Sequence, residues 1–125
     1  MEEALRPRLQ VVLVEPEIPP NTGNIARLCL AAGARLHLIE PLGFSLDDRF
    51  LARAGMDYWK DCDVHCWRNF DEWERSHLTV RAWFFTTKSS RSFWDARFAP
   101  GDALVFGRES KGLPESMLRQ RSASC

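Results

Sequence analysis

No stretch of this 125-residue chain is long and apolar enough to cross a membrane. Its opening, Met1 to Arg8, begins acidic and lacks the apolar core of a signal peptide. A soluble, cytoplasmic protein is therefore expected. Neither sign of charge is in excess, since 17 basic residues meet 17 acidic ones. A dedicated nucleic-acid module is usually basic. Any nucleic-acid contact must then come from local clusters or from a dimer that pools them. The four cysteines do not form the disulfide frame of a small secreted domain. Cys62 and Cys66 lie near His65 and His77, but their spacing matches no common zinc pattern, and no metal is expected.

Three chemical signatures are also absent. Without a Gly-x-Gly-x-x-Gly fingerprint, a nicotinamide or flavin cofactor is disfavoured. The run from Gly107 to Gly112 is not a Walker loop, because Lys111 precedes the second glycine. No nucleophile–base signature of a hydrolase is present. An unrelated nucleotide-binding or hydrolytic α/β domain is thus the weakest reading. No repeat, linker or low-complexity segment divides the chain.

What remains is 45% hydrophobic, as expected for one domain with a substantial core. Leu9 to Val14 is short, apolar and β-branched, the pattern of a buried parallel strand. Pro16, Pro19 and Pro20 end it. Asn21 is a candidate N-cap, and Ile25, Leu28, Cys29 and Ala32 repeat with helical spacing toward a core. Gly33 is the expected C-cap. Arg35 to Glu40 is a second strand, completing a βαβ unit whose crossover is right-handed by default. Ser45 can cap a helix over 46–54 that Gly55 ends. Val64 to Trp67 is a short strand, and Asn69 caps a helix through Trp73 to Ser76. Val80 to Thr86 and Ala103 to Phe106 are further strands, with a turn at Pro100-Gly101-Asp102. Pro114 can open a last helix, 115–121.

Loops therefore follow the carboxyl ends of strands after Val14, Thr86 and Phe106. In an open α/β sheet such loops converge on one edge, where ligands bind. Asn21 and Thr22 can satisfy free amides at the helix start. Gly23 and Arg27 are expected on one face, away from Ile25 and Cys29. An anion such as a nucleic-acid phosphate suits both the amides and a guanidinium. A capped helix with a surface arginine explains the same residues. In the second loop, Gly107 could let a flat ligand lie against the backbone, and Glu109 could accept hydrogen bonds or orient Arg27. An ordinary connection with solvated charges is the plainer alternative. The five tryptophans are more often core than base-stacking platforms. Trp83 is expected in the core, and Trp59 is the best candidate for an exposed or dimer-contacting aromatic.

These residues also resemble a known family. The run Pro16-Glu17-Ile18-Pro19-Pro20-Asn21-Thr22-Gly23-Asn24-Ile25, then Arg27-Leu28-Cys29, then Leu36 to Phe44, Asp47-Asp48, Arg53-Ala54-Gly55 and Asp57-Tyr58 resemble the SPOUT methyltransferases. Within that class they are most similar to the enzymes that methylate the wobble ribose of tRNA. Phe85-Thr86-Thr87-Lys88 and Phe106-Gly107-x-Glu109-x-x-Gly112-Leu113-Pro114 match in the same register, and the likeness runs from Leu9 to Leu118.

The resemblance implies a mostly parallel α/β sheet flanked by helices, a C-terminal trefoil knot and a homodimer. It implies S-adenosylmethionine as methyl donor and the ribose 2′-hydroxyl of the wobble nucleotide in the tRNA anticodon loop as acceptor. Asn21, Arg27 and Glu109 carry the catalytic roles by this likeness. By the same likeness Phe85, Thr86 and Gly107 are expected in the donor pocket. A guanidinium is a poor base, so Arg27 is expected to position the substrate and stabilise an anion, with substrate phosphate assisting proton removal. The family domain is expected over 9–121, between an N-terminal tail at 1–8 and an unlike tail at 122–125. The family's third motif has no counterpart in this sequence, so the knot is expected to be incomplete. A catalytically inactive fragment is the alternative reading.

Overall fold

The sequence Gln-Val-Val-Leu-Val at Gln10–Val14 (β1) is buried along its whole length. A strand that is apolar on both faces needs cover above and below, which places it inside a parallel sheet. The computed structural model describes residues 8–44, 59, 61–85, 99–108, 112–114 and 117. Within them, β1 is followed by α1 (Pro19–Ala32), β2 (Arg35–Ile39), β3 (Val64–Trp67), α2 (Phe70–Arg75), β4 (Ala82–Phe85) and β5 (Ala103–Phe106). The strands form one sheet in the order β3-β2-β1-β5-β4, and every neighbouring pair is parallel. From β1 the chain moves outward through β2 to β3. It then crosses to the opposite edge and returns through β4 to β5, beside β1. The strand order therefore reverses between β1 and β5.

Alternation along the strands sorts the core into two layers. Val11, Leu13, Leu36 and Leu38 pack with Ala26 and Cys29 of α1. Val12, Val14, Ile39, Phe84, Ala103 and Val105 pack with Phe70 and Trp73 of α2. The mostly parallel α/β sheet flanked by helices expected from the sequence is what forms among the described residues. The segments expected to form the trefoil knot, the helix over 46–54 and most of the helix over 115–121 lie outside the described residues.

Local signals account for most helix ends. Asn69 caps α2, its side chain accepting the Glu72 amide at 2.9 Å. Gly33 ends α1 in the left-handed conformation at φ 71°. The start of α1 differs from expectation. Ile18, not Asn21, is the N-cap, with no side-chain cap, and the amides of Asn21 and Thr22 donate to its carbonyl at 3.1 and 3.2 Å. Pro19 and Pro20 explain the shift: they have no N–H to leave unsatisfied, and their rings preset a helical φ.

The buried face of α1 also differs. Thr22, Gly23, Ala26 and Cys29 face inward, while Leu28 is 69% exposed. Ala32 is exposed too. Starting the helix earlier does not change its periodicity; the sheet simply selects the neighbouring stripe. Gly23 and Arg27 consequently part, the glycine buried and the arginine exposed. Trp59 is half-buried against the α1-side core rather than free on the surface. Trp83 is in the core as expected, with its indole N–H donating to Asp102 at 2.9 Å.

Candidate functional site

The site begins where β1 fails to continue. Glu15 adopts φ 53°, a left-handed conformation that few residues other than glycine enter, and its amide still donates to the Ile39 carbonyl at 2.9 Å. The chain turns sharply there and leads through Pro16 and Glu17 into α1. A second loop braces this turn. The Gly43 amide donates to the Pro16 carbonyl at 2.8 Å. A Cβ on Gly43 would lie 2.8 Å from the Cα and the carbonyl oxygen of Glu17. A glycine is needed for so close an approach.

The facing wall comes from β5. Phe106 ends that strand and stacks on Phe85 of β4, with ring centroids 4.8 Å apart and planes 9° from parallel. Gly107 follows. Its missing side chain is used by the protein itself: a Cβ there would collide with the Gly112 carbonyl carbon and the Leu113 amide nitrogen. Arg108 and Gly112 exchange backbone hydrogen bonds at 3.1 and 2.7 Å, closing the loop on itself. The Cβ side of Gly107 is thus filled by the chain's own backbone. Its glycine serves the closure of the 108–112 loop, although Gly107 still borders the cleft described next.

Between the two walls lies a cleft of about 380 Å³, lined by Leu13, Pro16, Asn21, Asn24, Ile25, Phe106 and Gly107. It opens at the carboxyl ends of β1 and β5, where the strand order reverses, which is where open α/β sheets bind ligands. The structure thus brings Asn21 and Gly107 together from distant parts of the chain. Phe85 supports the wall through its stack on Phe106. Arg27 does not line the cleft; it is exposed on α1, one turn beyond Asn24. Thr86 and Glu109 lie outside the described residues. Sequence reasoning missed Asn24 and Phe106. Asn24 could have been found as the residue one helical turn after Asn21.

Chemically, the cleft offers apolar walls and two carboxamides that both donate and accept hydrogen bonds. That set fits hydroxyls and flat rings, as in a nucleoside, better than a highly charged group. It fits the adenosyl part of a methyl donor as well. Among the described residues there is no group of His, Cys, Asp or Glu able to hold a metal ion. Cys29 is inert core: burial, aided by the nearby Cys62, pushes its thiol up to about 11.

The profile of the SpoU rRNA methylase family matches residues 8–125. This chain belongs to that family. As a SpoU methylase, it is 50% identical over 112 residues to a tRNA (cytidine(34)-2′-O)-methyltransferase of Burkholderia ambifaria, a match covering 88% of this chain and 72% of the relative. Its fold superposes with TM-score 0.83 on a solved structure concerned with 2′-OH methylation of C/U34 on tRNA. That match has 43% identity and covers 91% of this chain and 76% of the other. A candidate RNA methyltransferase from Bacillus anthracis superposes with TM-score 0.84 at 39% identity, covering 94% and 76%. The SPOUT fold expected from the sequence is the fold these relatives share.

Proposed function

We propose that this SpoU methylase transfers a methyl group to the ribose 2′-hydroxyl of nucleotide 34, the wobble position, in the anticodon loop of tRNA. The observation that carries the reading is the cleft between β1 and β5, where Asn21 and Gly107 of the two matched motifs meet. The likeness to relatives that act on that hydroxyl supports it. When bound, S-adenosylmethionine would supply the methyl group, and Phe106, Gly107 and the supporting ring of Phe85 would hold its adenosyl part.

The residues of this chain have separate tasks. Asn21 and Asn24 can orient the ribose hydroxyls, since a carboxamide both accepts and donates. Arg27, exposed beside the cleft, suits an RNA phosphate, which can accept the hydroxyl's proton as the O–methyl bond forms, and the negative charge left on that oxygen as the proton departs. Glu109 is the remaining candidate in this set. Ile25, Leu13 and Phe106 keep water from the reacting atoms. A homodimer in the cytoplasm completes the proposal; Leu28 and Leu30, 69% and 41% exposed on α1, are the apolar surface that supports pairing.

The test uses the 125-residue chain with a tRNA anticodon stem-loop and labelled methyl donor. Arg27→Ala should lower methyl transfer on the order of a hundredfold while changing donor binding, measured by calorimetry, far less. Equal transfer by the variant overturns the role given to Arg27. No donor binding by the unaltered chain overturns the proposed activity for this form.

A further inference from the structure

The loop that braces the first cleft also walls a second. Glu40, Pro41, Leu42 and Phe44, which follow β2, and Arg68, which follows β3, line an open cleft of about 490 Å³. The Glu40 amide donates to the Trp67 carbonyl at 2.8 Å, so the two strand ends are tied beneath it. This cleft lies on the same carboxyl edge of the sheet as the first. The two are joined by the Gly43–Pro16 hydrogen bond, because Pro16 lines one and the neighbours of Gly43 line the other.

The lining combines a cation, a carboxylate, an aromatic ring, a proline and a leucine. A nucleobase can stack on Phe44, and a carboxylate such as Glu40 accepts from an exocyclic amino group. The Arg68 guanidinium suits a backbone phosphate. Arg68 pairs with Glu72 at 2.6 Å, but its side chain is 81% exposed, and such a pair is weak and exchangeable. Among the described residues, two carboxylates, Glu40 and Glu72, accompany this one cation. A dianionic free phosphate is therefore disfavoured relative to a singly charged phosphodiester, which points to an internal nucleotide of a polymer.

We propose that this second cleft is a subsite for another nucleotide of the same RNA, its base stacked on Phe44 and its phosphodiester held by Arg68. The proposal rests on the reading of the β1/β5 cleft as the ribose site and extends the contact along the sheet edge.

The experiment titrates a fluorescent anticodon stem-loop RNA against the full chain at several salt concentrations. Phe44→Ala should weaken binding about tenfold, and Phe44→Trp should restore it. Arg68→Ala should also weaken binding and lower the slope of log affinity against log salt by about 0.7. Glu72→Gln, which breaks the ion pair but keeps the cation, should leave affinity unchanged or raise it. If Phe44→Ala and Arg68→Ala bind like the unaltered chain while Arg27→Ala binds more weakly, the subsite is overturned and the ribose-site reading stands. If Glu72→Gln weakens binding as much as Arg68→Ala, the ion pair is structural and the role of Arg68 is overturned. If the unaltered chain does not bind the RNA, both readings fall together.

Discussion

The amide of Gly43 donates to the carbonyl of Pro16 at 2.8 Å, so the loop after β2 sets the turn after β1. That turn delivers Asn21 to the cleft. Gly43→Ala should push the turn away, because the added Cβ would meet backbone atoms of Glu17 at 2.8 Å that cannot rotate aside. The expected cost is about 1–3 kcal/mol of stability, typical of overpacking, together with weaker RNA binding. Urea unfolding and RNA titration check the two effects. An unchanged unfolding midpoint shows that the turn does not depend on this contact.

Gly107→Ala tests the opposite wall. The Cβ would collide with Gly112 and Leu113, so the Arg108–Gly112 pairing should open and Leu113 should leave the core. Stability should fall by about 2 kcal/mol or more. Donor binding should fall with it, since the loop borders the cleft. Calorimetry on folded Gly107→Ala protein that shows normal donor affinity excludes the loop from the donor site.

His37 gives a pH dependence with a definite sign. It is buried at 1% exposure between Gln10, whose Oε1 lies 2.7 Å from Nε2, and Trp67, whose indole N–H donates to Nδ1 at 3.0 Å. An indole can only donate, so Nδ1 accepts and Nε2 carries the proton of a neutral ring. Burial, then the neighbouring His77, His65 and Arg35, lower its pKa from 6.5 to about 3, against a smaller opposing effect of Asp63. Between those values the unfolded chain binds a proton that the native protein refuses. Stability should therefore fall as pH drops from 6.5 toward 3, by about 1 kcal/mol per pH unit. Urea midpoints across this window measure it. His37→Leu should flatten the profile while lowering stability at neutral pH, because Gln10 and Trp67 lose their partner. A His37→Leu profile as steep as the original assigns the slope to other groups.

Asp102 ties the turn before β5 to the core. It is 5% exposed, and its Oδ2 accepts both the Trp83 indole N–H and the Ala99 amide at 2.9 Å. Asp102→Ala leaves both donors without a partner and should cost about 3 kcal/mol. Asp102→Asn keeps one oxygen with two lone pairs and should recover most of that loss. Thermal unfolding of the two variants decides it. Equal damage shows that the negative charge, not the acceptor, is what the turn requires.

Much of this was legible locally. Asn69 caps α2 and Gly33 ends α1 as the residue types suggest, because a cap depends on a few neighbouring atoms. Asn21 has the chemistry of a cap as well, but two prolines before it start the helix earlier. Leu28 has the spacing of a core residue and yet faces out. Periodicity names a helix stripe within one residue or two, and the sheet beneath chooses which one is buried. The cleft was legible only in parts: Asn21 and Gly107 stand out as residue types, whereas Asn24 and Phe106 matter because of what lies opposite them.

The sequence by itself determined the strands, most of the helix ends and the family. Each of these depends on local conformational preference or on a pattern read along the chain. The tertiary structure alone decided that β5 returns beside β1, and so that Asn21 and Gly107 share one cleft while Arg27 stands outside its lining. It also decided that the Cβ side of Gly107 is filled by the backbone of Gly112 and Leu113. The physical reason is that strand order and close backbone contact arise from packing between distant segments. No residue's own propensity encodes which partner that packing will bring.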